Sequence, residues 1–144
     1  MSDPAAAKAI NHLIEMSRAE FEQLVVDLYR ALGHTAKRVG AVGERDFDIV
    51  IVTKSGEHWI ALCKQWRGAV GESVVREFHA AMLREHAAQG AIITTAHFTP
   101  KAVEWAQGKP MHLYDGQAFL QVLQRIKGVS IETLEGHGSD GLNG

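Results

Sequence analysis

The chain has 144 residues, of which 46% are hydrophobic and 22% charged, a composition typical of one globular domain. This composition excludes collagen-like, low-complexity and wholly disordered proteins. Fifteen Lys and Arg residues stand against seventeen Asp and Glu residues, which gives a formal net charge of −2. Any binding to nucleic acid must therefore depend on a local cluster of positive charge rather than on the net charge.

The N-terminal residues and the single cysteine are typical of a protein of the reducing cytoplasm. Cys63 is the one cysteine, so no internal disulfide can form. The N-terminal residues lack a basic segment followed by an apolar one, and no run approaches the roughly 18 apolar residues of a membrane span. We therefore expect a soluble, cytoplasmic protein with no membrane partner.

The first clear element is a helix over 17–32. Ser17 and Glu20 have the spacing of a capping box, and the apolar residues that follow recur on one helical face. Gly33 then favours a left-handed helix end. Residues 1–16 are Ala-rich and offer little to bury, so we expect an N-terminal arm or a frayed helix there.

The rest of the chain alternates predicted strands and helices. The prediction is, in chain order, strands over 35–39, 47–52 and 58–64, a loop over 67–72, a helix over 73–89 capped by Ser73 and closed by Gly90, a strand over 91–95, a helix over 99–106, a strand over 111–114 and a helix over 118–126. Turn residues favour an antiparallel hairpin between the second and third strands, whereas strands joined by helices must pair in parallel. This order predicts an α/β fold with a mixed central sheet flanked by helices, α-β-β-β-α-β followed by α-β-α. We assign this domain to residues 17–127 and a flexible Gly-rich tail to 128–144.

Two charged residues stand out in the apolar strands of the predicted hairpin. Asp48 lies within the first strand, where a buried carboxylate costs several kcal/mol unless it has a partner. Lys64 ends the second strand, and a turn at 54–56 places Asp48 nearly opposite Leu62 and diagonal to Lys64. The two side chains form either a structural ion pair or part of a functional site, and their spacing is compatible with both.

Further polar residues cluster around this pair. Glu22 borders the apolar face of the first helix, so it is either a solvated residue or a carboxylate aimed at Asp48. The candidate DNA-contacting residues near the hairpin are Lys37, Arg38, Arg45, Gln65 and Arg67. Such residues either neutralise phosphates without reading sequence or are ordinary solvated surface groups. The eight histidines show no zinc-site spacing.

Five ordered blocks of the sequence carry a resemblance to a known family. They are FEQLVVDLYRALGH, GERDFDIVIV, ALCKQWRG, VVREFHAAM and GAIITTAHFTPKAVEWAQGKPMHLYDGQAFLQVL, within residues 17 to about 124. They resemble the catalytic domain of the Mrr-type (type IV) restriction endonucleases, within the PD-(D/E)xK nuclease superfamily. The resemblance implies a restriction-endonuclease-like core and metal-dependent hydrolysis of phosphodiester bonds in foreign or modified DNA.

The resemblance also implies roles for individual residues. Asp48 matches the family's metal-binding Asp, Lys64 its catalytic Lys and Glu22 its first-helix carboxylate. The backbone carbonyl of Cys63 would add a metal ligand, and the cofactor would be Mg²⁺ or Mn²⁺. Double-stranded DNA is the implied partner. Family members often carry a separate DNA-recognition domain, so a further domain or subunit would supply specificity here, and cleavage of both strands favours a homodimer.

Two departures from the family pattern keep other functions open. Leu62 stands where the family usually has Gln, and leucine has no oxygen to give to a metal or a water. Charged residues at 44–46 replace glycines of the family's preceding loop. The chain is therefore a DNA endonuclease or a catalytically impaired nuclease-fold module for DNA binding or assembly, and a protein-interaction domain without a nucleic-acid role is a third alternative.

Overall fold

The computed structural model of the protein describes residues 3–39 and 46–126. The elements in these ranges are α1 (Pro4–Glu15), α2 (Arg18–Ala31), β1 (Thr35–Arg38), β2 (Ile49–Val52), β3 (His58–Lys64), β4 (Ala69–Val70), α3 (Glu72–Arg84), β5 (Gln89–Thr94), β6 (His97–Phe98), α4 (Pro100–Ala106), β7 (Met111–Tyr114) and α5 (Gly116–Arg125). The main sheet has five strands in the order β1-β2-β3-β5-β7. The predicted α/β fold with a mixed central sheet is confirmed. Among the described residues no helix is long and apolar enough to span a membrane.

Pairing within the main sheet follows the connections. β2 pairs antiparallel with β1 and β3, whereas β3, β5 and β7 are parallel because helices join them. Helices α1, α2 and α5 pack on one face of the sheet, and α3 and α4 pack on the other. Ile49 pairs with Ala61, so continuing the register puts Asp48 level with Leu62, as the predicted hairpin requires.

The start of α2 is fixed by a local hydrogen-bond motif. The Ser17 hydroxyl accepts a bond from the Glu20 backbone N–H at 3.0 Å, and the Glu20 carboxylate accepts one from the Ser17 N–H at 2.9 Å. This is the predicted capping box. Phe21 is fully buried beneath the first turn, which holds that turn against the sheet.

The N-terminal segment differs from its prediction. Residues 4–15 form a helix whose Leu13 is fully buried and whose Ala9 is 6% exposed, so the expectation that this segment buries little was wrong. The apolar side of α1 is covered because α1 packs against α5, a contact between distant parts of the chain. The Gln65 side-chain amide also donates to the carbonyls of Leu13 and Met16, at 3.1 and 3.0 Å.

The predicted boundaries of α3 were also wrong. The N-cap is Gly71, with no side-chain bond, rather than Ser73, and the helix ends before His86, whose φ is +55°. Gly90 is not a helix stop but lies inside β5, where a Cβ would come within 2.6 Å of the Met82 sulfur. Glycine is needed there because α3 packs directly on the strand. Two short strands, β4 and β6, pair with each other, and β4 occupies part of the predicted loop over 67–72.

Candidate active site

A cavity of about 340 Å³ lies where the first turn of α2 meets the open end of the β2–β3 hairpin and one side of α3. The four residues proposed for catalysis or metal binding all line it: Glu22, Asp48, Cys63 and Lys64. Arg18, Leu62 and Glu77 line it as well. The fold therefore brings together Glu22 and Lys64, which are 42 positions apart in the sequence.

Asp48 is the most constrained group of the cavity. It lies one residue before β2, so the prediction that it lies inside a strand was wrong, and its side chain is 8% exposed. Its Oδ1 accepts a bond from Arg18 Nη2 at 2.9 Å, and its Oδ2 accepts one from the Cys63 backbone N–H at 2.7 Å. Burial raises the pKa of Asp48, while the bonds from Cys63 and Arg18 act in the opposite direction.

Glu22 is the second buried carboxylate and points into the cavity from α2. Its side chain is 7% exposed, so it is not a solvated helix residue. Its Oε2 accepts from Arg18 Nε at 2.9 Å, and its Oε1 accepts from Arg38 Nε at 3.0 Å. One guanidinium, that of Arg18, therefore bridges both buried carboxylates.

The sequence pattern gave no indication of this role of Arg18. The Arg18 side chain is 76% exposed, and bonds to Glu22 and then Asp48 raise its pKa. The spacing of four residues between Arg18 and Glu22 is a detectable signal for a helical ion pair. The contact with Asp48, 30 positions away, has no such local signal.

Lys64 does not serve as the partner of Asp48. Within residues 3–39 and 46–126 it forms no ion pair, and its ammonium lies 5.1 Å from the centroid of the Trp66 ring. Its backbone carbonyl accepts bonds from the Thr94 hydroxyl at 2.7 Å and the Thr95 N–H at 3.2 Å, which fix the end of β3. The structural Asp48–Lys64 ion pair considered from the sequence is therefore wrong, because Arg18 takes that place.

The first departure from the family pattern, Leu62, has a structural explanation. Leu62 is 8% exposed and belongs to the apolar cluster between the sheet and α3, together with Phe78 and Val75. It forms an apolar wall of the cavity. Glu77, an exposed residue of α3 that the sequence pattern did not single out, lines the same cavity.

The candidate DNA-contacting residues fall into two groups. Lys37 and Arg67 are exposed, although Arg67 also donates to the Asn11 side chain at 3.1 Å. Arg38 and Gln65 make the bonds within the protein described above. Arg45, like the rest of the loop over 40–45, lies outside the described residues.

The chemistry of the donor set fits a divalent cation. Carboxylate and carbonyl oxygens are the ligands that Mg²⁺ and Mn²⁺ prefer. In the part of the chain that the structure describes, no group of three His, Cys, Asp or Glu side chains is arranged to hold a metal. The Asp48 and Glu22 carboxylates nevertheless share one positive group already, the guanidinium of Arg18.

Buried carboxylates beside a lysine, at the end of an antiparallel hairpin in a helix-flanked mixed sheet, define a domain of the restriction-endonuclease-like class. The Mrr catalytic-domain family model, described as a restriction endonuclease, matches residues 13–123. The chain belongs to this family, and the resemblance recognised in the sequence is confirmed.

Individual relatives agree with this assignment. The chain is 31% identical to the type IV methyl-directed restriction enzyme EcoKMrr of Escherichia coli strain K12, over 94% of this chain and 47% of that enzyme. Two solved structures share the fold. The DNA modification-dependent restriction endonuclease AspBHI has a TM-score of 0.73 at 16% identity, over 94% of this chain and 39% of its own. The MspJI restriction endonuclease, in complex with a 27-mer oligonucleotide, has a TM-score of 0.62 at 17% identity, over 97% of this chain and 36% of its own. The chain thus spans less than half the length of each.

Proposed function

We propose that the chain is the nuclease domain of a restriction system and hydrolyses phosphodiester bonds of double-stranded DNA in a metal-dependent reaction. The observation that carries the proposal is the convergence on one cavity of two buried carboxylates and of a lysine that forms no ion pair with any described residue. The names of EcoKMrr and AspBHI describe methyl-directed and modification-dependent enzymes, which supports foreign or modified DNA as the substrate.

Each group of the cavity has a role in this proposal. Asp48, Glu22 and the backbone carbonyl of Cys63 would hold Mg²⁺ or Mn²⁺. When bound, the cation would polarise the scissile phosphate and acidify the attacking water. Lys64 orients or deprotonates that water and neutralises the charge that develops on the phosphate. The exposed side chains of Lys37 and Arg67 would neutralise DNA phosphates near the cavity.

A second candidate function is a DNA-binding or assembly module that no longer cleaves. Two observations favour it: Leu62 contributes no oxygen, and all four oxygens of Asp48 and Glu22 already accept bonds from the protein. In such a module the bonds from Arg18 and Arg38 would be permanent.

Other parts of the functional unit lie outside this domain in our proposal. The chain covers 47% of EcoKMrr, so a separate recognition domain or subunit would select the DNA. A homodimer would supply the two active sites that cleavage of both strands requires.

The direct test is a nicking assay on plain and methylated plasmid DNA with Mg²⁺, Mn²⁺ or EDTA. We expect metal-dependent nicking that Asp48→Asn and Lys64→Ala both abolish. Arg125→Gln, which removes an exposed charge on α5 away from the cavity lining, is the matched control and should nick normally. Retention of DNA without nicking, equal with and without metal, would establish the binding module instead. Absence of any salt-dependent DNA binding would refute both the nuclease and the DNA-binding module.

A further inference from the structure

We propose that Arg18 is an internal cation that occupies the place of the divalent ion until a DNA phosphate draws its guanidinium out of the cavity. This inference rests on the proposed function, because it concerns how the same site becomes able to hold its metal. Arg18 would then be a positioning residue that couples DNA binding to metal binding.

The geometry of the bridge carries the inference. Arg18 takes one oxygen from each carboxylate, Oε2 of Glu22 and Oδ1 of Asp48, each at 2.9 Å. The remaining oxygens are held by other groups, Oε1 by Arg38 and Oδ2 by the Cys63 N–H. Movement of a single side chain would therefore free one oxygen on each carboxylate while both carboxylates stay fixed in position.

Charge makes Arg18 and a divalent ion mutually exclusive. The two carboxylates and the two arginines, Arg18 and Arg38, balance to zero. A divalent ion that entered with Arg18 in place would leave two uncompensated positive charges beside buried groups, which is strongly unfavourable. Departure of Arg18 removes one of these charges, and an incoming phosphate removes another.

The difference in solvent exposure explains why the Arg18 side chain can leave the cavity whereas the two carboxylates cannot. The carboxylates of Glu22 and Asp48 are 7% and 8% exposed, whereas the Arg18 side chain is 76% exposed. A guanidinium at the mouth of a cavity can bind a phosphate through two parallel hydrogen bonds. DNA thus offers Arg18 a second anionic partner at the entrance of the site.

Competition between Arg18 and the metal ion predicts a measurable change in the apparent metal affinity. If the guanidinium occupies the carboxylates for about nine-tenths of the time, the apparent metal affinity is about tenfold below the intrinsic affinity. DNA that captures Arg18 would recover this factor, and by reciprocity the metal would tighten DNA binding equally.

Mn²⁺ titration of the full chain, followed by electron paramagnetic resonance, tests the inference. The parent for all variants is Lys64→Ala, which the proposed function predicts to be inactive, so that added duplex DNA stays intact. Without DNA, we expect Arg18→Gln to bind Mn²⁺ about tenfold more tightly than the parent. With a DNA duplex the difference should largely disappear because the parent gains affinity. Arg125→Gln should follow the parent, and equal binding by Arg18→Gln and the parent without DNA would overturn the inference.

Two further measurements separate this role from a merely structural one. Arg18→Lys keeps the charge but cannot donate from two nitrogens of one planar group, so its Mn²⁺ affinity should lie between those of the parent and Arg18→Gln. If Arg18→Gln unfolds in EDTA, Mn²⁺ should restore its fold, because the ion then compensates the two carboxylates. Failure of Mn²⁺ to restore it would overturn the inference.

Asp48→Asn distinguishes failure of the inference from failure of the proposed function. If Asp48→Asn abolishes Mn²⁺ binding but Arg18→Gln does not tighten it, only the role of Arg18 is refuted. If Asp48→Asn binds Mn²⁺ as the parent does, or if no variant binds Mn²⁺ with or without DNA, the proposed metal site is refuted and the inference with it.

Discussion

Replacement of Leu62 by glutamine would restore the residue that the family usually has at this position. The variant would lose the apolar packing of the leucine and gain a side-chain oxygen at the proposed metal site. Leu62 is 8% exposed in the apolar cluster against α3, so nearly its whole side chain is removed from water. Burial of a leucine side chain contributes about 1.5–3 kcal/mol to the free energy of unfolding. A glutamine amide buried at the same place without hydrogen-bond partners does not make this contribution. We therefore expect Leu62→Gln to be less stable than wild type by about 2 kcal/mol in EDTA.

For a domain of this size, each kcal/mol corresponds to about 3 °C in Tm, so the expected decrease is about 6 °C in EDTA. Mg²⁺ should recover part of it, since a ligand at about ten times its Kd stabilises the folded state by about 1.4 kcal/mol. Circular dichroism melting in EDTA and in Mg²⁺, beside the plasmid nicking assay, measures both effects. Leu62→Met is the matched control because it keeps an apolar side chain and adds no oxygen, and it should cost less than about 1.5 kcal/mol.

Two outcomes would refute this reasoning. A Leu62→Gln protein as stable as wild type in EDTA would show that the leucine does not contribute to packing. A variant that is destabilised in EDTA, yet gains neither Mg²⁺ stabilisation nor nicking rate over Leu62→Met, would show that the missing oxygen does not limit metal binding.

Two more predictions concern the buried carboxylates. Arg38→Met leaves Oε1 of Glu22 without its ion pair, and because Arg38 is 37% exposed we expect a destabilisation of about 1–2 kcal/mol in urea unfolding, less than for a fully buried pair. On a Glu22→Gln background the same substitution should cost clearly less, and an equal cost would contradict the pairing. The second prediction concerns pH: burial raises the pKa of Asp48, so the folded state binds a proton at this site more readily than the unfolded chain does. The stability that this group contributes is therefore present below its ordinary pKa, about 4, and is lost as the pH rises through the raised value. Urea unfolding at pH 7, 5 and 4 should show the stability difference between wild type and Asp48→Asn moving in favour of wild type as the pH falls, and a constant difference would contradict the direction of the shift.

Elements specified by neighbouring residues could be predicted from the sequence. The capping box of Ser17 and Glu20 needs only a spacing of three residues, and it places the start of α2 correctly. The β2–β3 hairpin is likewise set by a short turn, which is why Asp48 comes level with Leu62 as expected. By contrast, the burial of Leu13 depends on α5, which packs on α1 from a distant part of the chain. The presence of Gly90 inside β5 depends on how closely the preceding helix α3 packs on that strand, which is a tertiary contact that the spacing of residues does not reveal.

The contrast between features set locally and features set by tertiary packing also applies to the charged residues of the site. It bears on the role of Lys64. That Asp48 needs a partner follows from the cost of burying a carboxylate. Lys64 was one candidate from the sequence because the predicted hairpin register places it diagonal to Asp48. The partner is Arg18 instead, since α2 packs over the end of the hairpin and places a guanidinium within 2.9 Å of Asp48. A lysine required only to neutralise Asp48 would thus be redundant. Lys64 lines the cavity with its ammonium near Trp66 and without an ion pair among the described residues, which leaves it available to a substrate phosphate and supports its proposed catalytic role.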